Sequence, residues 1–134
     1  MIYLDSCALM KFVKREAQTA ALREWRSALD PTVELVVSEV AELEVARTLL
    51  RAGVDHERVP YVVAQVVRGV YLLDLTSTVL ARARTYRTSR LGSLDAIHLA
   101  TADPFGAELE EFVTYDHELA AAARARGLPV TAPS

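Results

Sequence analysis

The chain has few of the residues that build disulfides and soft metal sites: its 134 residues include one cysteine, three histidines and two lysines. Without a second cysteine, Cys7 can form neither an internal disulfide nor a zinc knuckle. We expect Cys7 to be a small buried apolar side chain. The three histidines are not spaced as metal ligands. We therefore expect His98 to lie in the core or to support the residues of a site without binding the ligand itself.

Common phosphate-binding motifs are also missing. The chain contains neither G-x-x-x-x-G-K-[ST] nor G-x-G-x-x-G, which argues against P-loop hydrolases and dinucleotide-binding enzymes. Asp5 has no second Asp two residues later, as aspartyl phosphotransferases require, and it lacks the paired acid that follows the first strand of receiver domains. Other phosphate chemistry therefore has to be considered.

Long apolar runs are absent as well. No stretch approaches the roughly 20 apolar residues that span a bilayer, and Asp5 interrupts the opening residues where a signal peptide is uncharged. We expect a cytoplasmic protein with no membrane partner. Hydrophobic residues make up 51% of the chain and charged residues 25%, so residues 1–134 are expected to form one globular domain.

The formal net charge is −3, and without four of its carboxylates it would be +1. Arginine supplies most of the positive charge, with 13 Arg against two Lys. The planar guanidinium suits phosphate groups, although a compositional bias of the source genome would produce the same ratio. One stretch is rich in arginine and has two interpretations: its side chains contact RNA phosphates, or they form a plain solvated face. Its arginines are Arg82, Arg84, Arg87 and Arg90.

Hydrophobic patterning predicts alternating strands and helices. The predicted strands are 1–4, 34–38, 70–75, 111–115 and an edge strand at 128–132. The predicted helices are 8–30 (one or two helices), 38–53 and 93 onward, both capped by Ser, and 55–69, 77–91 and 117–127. This alternation predicts an α/β three-layer sandwich, with a central parallel sheet of four to five strands and helices on both faces.

Two predicted strands run directly into aspartates, Asp5 and Asp116. In open α/β sheets ligands bind at the carboxyl ends of the strands, so both acids are expected at such a site. Alternatively, each Asp merely caps the helix that follows. Both interpretations can hold for one Asp only if the same side chain caps the helix and also takes part in the site.

The helix predicted at 38–53 carries three glutamates, of which Glu44 points about 160° away from Glu42. Glu44 shares its stripe with Arg47 and Arg51, a combination that suits metal and phosphate. The alternative is a surface ion pair between Glu44 and Arg47.

Asp95 lies in the stretch SLDAIH, with His98 on the same, largely apolar helix face. Four carboxylates in one cleft, those of Asp5, Glu44, Asp95 and Asp116, would repel one another by ~4 kcal/mol per close pair at an effective dielectric of 20. A divalent cation resolves this repulsion. Oxygen ligands without cysteine favour Mg²⁺ or Mn²⁺ over zinc.

Four stretches carry a family resemblance: IYLDSCALMK, SEVAELEVARTL, LGSLDAIHLATA and FVTYDHELAAAARARGLPV. In order and spacing they resemble the PIN-domain ribonucleases, most closely the VapC toxins of bacterial toxin–antitoxin pairs. The resemblance covers nearly the whole chain and implies a PIN-like sandwich. It places the family's acids on the same four residues and prefers Glu44 to Glu42. Ser6 and Thr114 match hydroxyl positions that support these acids by hydrogen bonding. The chain departs from the pattern at Cys7 and at DPFG (103–106), which we expect to alter a loop beside the cleft.

The resulting hypothesis is a Mg²⁺- or Mn²⁺-dependent endoribonuclease. Asp5, Asp95 and Asp116 hold the ion and Glu44 holds or orients the attacking water, while Arg47 and Arg51 are candidate RNA contacts. The resemblance further implies a VapB-type antitoxin partner and a homodimer. The alternative is a PIN-like module that binds RNA or protein without turnover.

Overall fold

A computed structural model describes all residues from Met1 to Ser134. The strands are β1 (Ile2–Leu4), β2 (Leu35–Ser38), β3 (Val70–Leu73), β4 (Glu111–Val113) and β5 (Val130–Thr131). The helices are α1 (Ser6–Met10), α2 (Thr19–Ser27), α3 (Val40–Arg51), α4 (Val59–Val66), α5 (Ser77–Ala83), α6 (Ser93–Ala102) and α7 (His117–Ala125), and a 3₁₀ segment spans Asp103–Glu108. No helix is long and apolar enough to cross a membrane.

The five strands form one sheet in the order β3-β2-β1-β4-β5, and every pairing is parallel. Strand β1 is central, with Ile2 opposite Leu35 on one side and Glu111 on the other. The chain moves outward from β1 in both directions, so right-handed crossovers place helices on opposite faces. The predicted α/β parallel sandwich is therefore confirmed, and β1 and β4 flank the point where strand order reverses.

The core is centred on β1, which is buried along its whole length. The Tyr3 ring stacks on Phe112 of β4 with ring centroids 5.2 Å apart, and both side chains are fully buried. A buried tyrosine hydroxyl needs a hydrogen-bond partner. Tyr3 finds that partner at the site described below.

Several helices are shorter than predicted. The stretch 8–30 forms α1 and α2 with turns between them, and α1 begins two residues earlier, at Ser6. The Arg-rich stretch 77–91 is helical only as far as Ala83. Ser93 is the first residue of α6 rather than its cap, a position that Gly92 occupies. Helix propensity alone predicted helices that were too long, because tertiary packing decides where a marginally stable helical turn ends.

The DPFG segment forms a turn on a different part of the surface from the one we expected. Gly106 adopts a positive φ of 50°, which glycine accepts at little steric cost. The Asp103 carboxylate accepts hydrogen bonds from Tyr86 Oη and from Arg126 Nε, both at 2.9 Å. Asp103 and Pro104 line a second cavity of about 490 Å³ between α5, α6 and α7, and none of the DPFG residues lines the cleft.

We expect Asp103→Ala to lower the free energy of unfolding by about 1–2 kcal/mol, because it leaves the half-buried Tyr86 hydroxyl without its acceptor. Urea unfolding followed by circular dichroism measures this loss. Glu108→Ala, in the same segment but exposed, is the control and should change stability by less than about 0.5 kcal/mol. Equal effects of the two substitutions would show that the Asp103 contacts stabilise nothing.

Candidate active site

A cleft of about 580 Å³ opens beside the carboxyl ends of β1 and β4. Its walls come from α1 and the turns after it, from one face of α3, from the start of α6 and from the loop before α7. Glu44 and Asp116 line it together with Ser6, Arg47 and Arg51. Five of the eight residues predicted from the sequence therefore face one cleft, and the other three are Asp5, Asp95 and Thr114.

Asp5 follows β1 directly and is only 2% exposed. Its Oδ1 accepts a hydrogen bond from the Ala8 amide at 2.8 Å and so caps α1, while Oδ2 accepts from the Thr114 hydroxyl at 2.5 Å. Burial raises the pKa of this carboxyl, and the bonds from Thr114 and Ala8 oppose the rise. Asp5 thus caps a helix with one oxygen and reaches toward β4 with the other.

Asp116 lies three residues beyond the end of β4, because that strand stops at Val113 rather than running into the aspartate as predicted. Its Oδ1 caps α7 by accepting from the Leu119 amide at 2.8 Å. The Asp116 amide donates to Thr114 Oγ1 at 3.1 Å. The Thr114 hydroxyl therefore connects Asp116 to Asp5 through one buried oxygen.

Glu44 projects from α3 toward α1 and α6, and its side chain is 16% exposed. Its Oε1 lies 2.6 Å from His98 Nε2, and Oε2 accepts from Ser6 Oγ at 2.9 Å. Glu42 is exposed, and Glu39 accepts from the Leu75 amide instead. Among the three glutamates of this segment, only Glu44 lines the cleft.

Asp95 lies in the first turn of α6 and is half-buried. Its pKa is raised to about 6, first by burial and next by the negative charge of Asp116, with smaller contributions from the charges of Asp5 and Glu44. The negative charge of Asp116 therefore acts directly on the Asp95 carboxyl. Asp95 therefore belongs electrostatically to the same group as the other three acids.

The prediction that Cys7 is buried is wrong, because the side chain is exposed and lines the cleft. Partial desolvation raises the pKa of its thiol to about 12, and the next causes are the charges of Asp5, Asp116, Asp95 and Glu44. Cys7 follows Asp5 by two residues on the short helix α1, which turns it toward the acids. The charges of all four carboxylates therefore act on the Cys7 thiol.

No three His, Cys, Asp or Glu side chains lie near enough to one another to hold a metal ion without moving. Their chemistry nevertheless fits a hard divalent cation, since the four acids offer only oxygen ligands and their charges already penalise one another. Hydrogen bonds keep Asp5, Glu44 and Asp116 engaged with the protein. An ion would therefore have to draw these side chains inward.

Two functional neighbours of the acids escaped the sequence analysis. Tyr3 was not singled out, although a tyrosine in a fully buried strand signals a hydroxyl that needs a partner. Lys11 is 7% exposed, yet it lines the cleft, where its ammonium contacts Glu16, donates to Gln18 at 3.1 Å and lies 4.8 Å from the Tyr115 ring centroid. Only the fold brings these partners together.

Comparison with known proteins is consistent with this architecture. Residues 2–125 match the family model described as the PIN domain. Ribonuclease VapC47 of Mycobacterium tuberculosis (strain CDC 1551 / Oshkosh) is 38% identical over 136 residues, which cover 99% of this chain and 97% of that protein.

Two solved structures share the fold. VapBC2 from Rickettsia felis, bound to a DNA fragment from their promoter, matches with a TM-score of 0.76 at 13% identity over 100% of both chains. A toxin–antitoxin complex from Klebsiella pneumoniae matches with a TM-score of 0.65 at 20% identity, over 100% of this chain and 98% of that chain. The family match over most of the chain and the 38% identity to a full-length relative are decisive. The chain belongs to the PIN-domain family and, within it, to the VapC group.

Proposed function

We propose that this protein is a metal-dependent endoribonuclease and the toxin of a VapBC-type toxin–antitoxin pair. The observation that carries the proposal is the electrostatic coupling of Asp95 to Asp116, Asp5 and Glu44 beside one cleft. Such coupling is unfavourable in an empty site and favourable around a cation. VapC47, the relative at 38% identity, is named a ribonuclease.

In this proposal Asp5, Asp95 and Asp116 hold Mg²⁺ or Mn²⁺. The ion, when bound, lowers the pKa of water and neutralises charge on the phosphate. Glu44 orients the attacking water, a role that suits a carboxylate held at both oxygens by His98 and Ser6. The Thr114 hydroxyl holds Asp5 and Asp116 in fixed positions relative to each other. Hydrolysis then needs no covalent intermediate on the protein.

The proposed partners follow from the cleft and from the relatives. Leu43 and Leu94 line the cleft and are 59% and 44% exposed, so they offer apolar contacts to a segment of a VapB-type antitoxin. The structure from Klebsiella pneumoniae is a toxin–antitoxin complex. We also propose a homodimer, a cytoplasmic location where RNA is available, and a single domain over residues 1–134, which the one hydrophobic core supports.

A Glu44→Gln variant tests the proposal, because glutamine keeps the shape of the side chain and the bond from Ser6 but removes the negative charge. We expect RNA cleavage by purified, antitoxin-free protein in Mg²⁺ or Mn²⁺ to fall ~10²-fold. Glu42→Gln makes the same change on the exposed side of α3 and should leave the rate within about 2-fold. Wild-type protein that cleaves no RNA with either metal would favour the alternative, a PIN-like binding module without turnover.

Arg47 and Arg51 are the proposed contacts to RNA phosphates, since both are exposed and line the cleft. Replacing both with Ala should weaken RNA binding and lower the slope of log affinity against log salt by ~0.7 for each lost contact to a single strand. Fluorescence anisotropy at several salt concentrations measures this slope. Arg68→Ala is the control, because Arg68 is exposed but does not line the cleft. An unchanged slope in the double variant would remove both arginines from the RNA interface.

A further inference from the structure

A chain of buried hydrogen bonds runs from the sheet to Glu44. The Ser38 amide donates to Tyr3 Oη at 3.1 Å, and Tyr3 Oη lies 2.6 Å from His98 Nδ1. His98 Nε2 lies 2.6 Å from Glu44 Oε1. Tyr3 and His98 are 0% and 1% exposed, so the first two bonds are buried, whereas Glu44 is partly exposed and brings the chain to the cleft.

We propose that Tyr3 and His98 are positioning residues that fix the tautomer of the imidazole and, through it, the orientation of the Glu44 carboxylate. This inference rests on the proposed nuclease function, because it assigns Glu44 a task that needs a fixed direction. Neither residue reaches the substrate. Each acts through Glu44.

With Glu44 ionised and the His98 ring neutral, the direction of every bond in the chain is fixed. An ionised Glu44 can only accept, so the hydrogen between Glu44 and His98 sits on Nε2. The neutral ring then has a bare Nδ1, which must accept the hydrogen of the Tyr3 hydroxyl. Tyr3 can give that hydrogen because its oxygen accepts from the Ser38 amide. One tautomer therefore satisfies all three bonds.

Packing also holds the two rings in place. The Tyr3 ring stacks on Phe112 and meets the His98 ring edge-on, with centroids 5.9 Å apart. His98 lies three residues after Asp95 on α6, and Tyr3 lies two residues before Asp5 on the chain. The Tyr3–His98 contact therefore joins the segment that leads into Asp5 to the helix that carries Asp95, and His98 in turn bonds to Glu44 on α3.

A glutamate free to rotate would lose side-chain entropy on being ordered. In this structure that ordering is present before any ligand arrives, because His98 and Ser6 each bind one oxygen of Glu44. Partners of this kind, one step behind a ligand, typically change metal affinity or activity 10–100-fold when removed, as a rough guide. Tyr3, one step further back, contributes by keeping His98 in the required tautomer.

The first test needs no activity. In ¹⁵N-labelled wild-type protein, long-range ¹H–¹⁵N spectra of His98 report which ring nitrogen carries hydrogen. We expect a neutral ring protonated at Nε2 only. Protonation at Nδ1, or at both nitrogens near neutral pH, would overturn the assignment. This result stands whether or not the protein cleaves RNA, so its failure is distinguishable from failure of the proposed function.

The second test compares Tyr3→Phe with Tyr71→Phe, which removes an exposed hydroxyl from the edge strand β3. Tyr3→Phe should lower kcat for RNA cleavage in Mn²⁺ by ~10-fold or more and leave KM within about 2-fold. His98→Gln, which can still donate to Glu44, should retain more activity than His98→Asn. Equal kcat for Tyr3→Phe and Tyr71→Phe would overturn the proposal.

Discussion

The Asp5→Asn protein is expected to cleave RNA in Mg²⁺ at least ~10²-fold more slowly than wild type while folding as well. Asparagine keeps the size of the side chain, and its oxygen can still accept from the Ala8 amide and cap α1. The Thr114 hydroxyl can turn to accept from the new amide in place of donating. The substitution therefore removes the negative charge of Asp5 from the group of four acids.

Asp74→Asn is the matched control for this substitution. Asp74 also follows a strand directly, at the end of β3, but it is exposed and lies on the edge strand. Its replacement should leave the cleavage rate within about 2-fold of wild type. Initial rates on an RNA substrate measure both variants, with circular dichroism to verify folding. An active Asp5→Asn enzyme would remove Asp5 from the machinery.

Stability without metal should fall as the pH rises through about 6, and divalent cations should reverse the fall. The pKa values of Asp95, about 6, and of Asp5 are raised in the folded protein. A carboxyl of this kind stabilises the fold fully below its unfolded pKa, and that contribution is lost as pH rises through the folded value. For the half-buried Asp95 the loss is about 1–2 kcal/mol after allowance for solvent screening.

Mg²⁺ at a hundredfold excess over its Kd should add about 2.7 kcal/mol, with a smaller gain at pH values where the acids are protonated. Thermal unfolding in EDTA and in Mg²⁺, from about pH 5 to about pH 8, measures both effects. Asp95→Asn should flatten the pH dependence in EDTA because asparagine does not titrate. A metal-free stability that rises across this range, or one indifferent to Mg²⁺, would contradict the electrostatic account of the site.

The sequence was sufficient for the sheet and for the placement of several predicted residues around the cleft, and the reason is topological. Asp5 had to lie at the carboxyl end of β1 because it follows a short apolar strand, and parallel strands bring such ends to one edge. Helical periodicity alone turned Glu44 away from Glu42 and onto the stripe with Arg47 and Arg51. Predictions of this kind need only local geometry.

Other features depend on contacts that no local pattern contains. Tyr3 and His98 meet across 95 positions of sequence, and composition does not indicate which histidine meets which hydroxyl. Cys7 is exposed because α1 is a single short helix that turns it into the cleft, although cysteine is usually buried. The DPFG segment faces the second cavity because α6 ends at Ala102, and its neighbours there come from α5 and α7.

We propose that the four acids are held apart by their own charge and by hydrogen bonds, and that a divalent cation would draw them together. Anomalous scattering from crystals of the protein soaked in Mn²⁺ tests it most directly. The account predicts an anomalous peak about 2.0–2.3 Å from carboxylate oxygens of Asp5, Asp95 and Asp116, with Glu44 still bonded to His98. A fully soaked crystal with no peak in the cleft, or with peaks only at other acids, would contradict it.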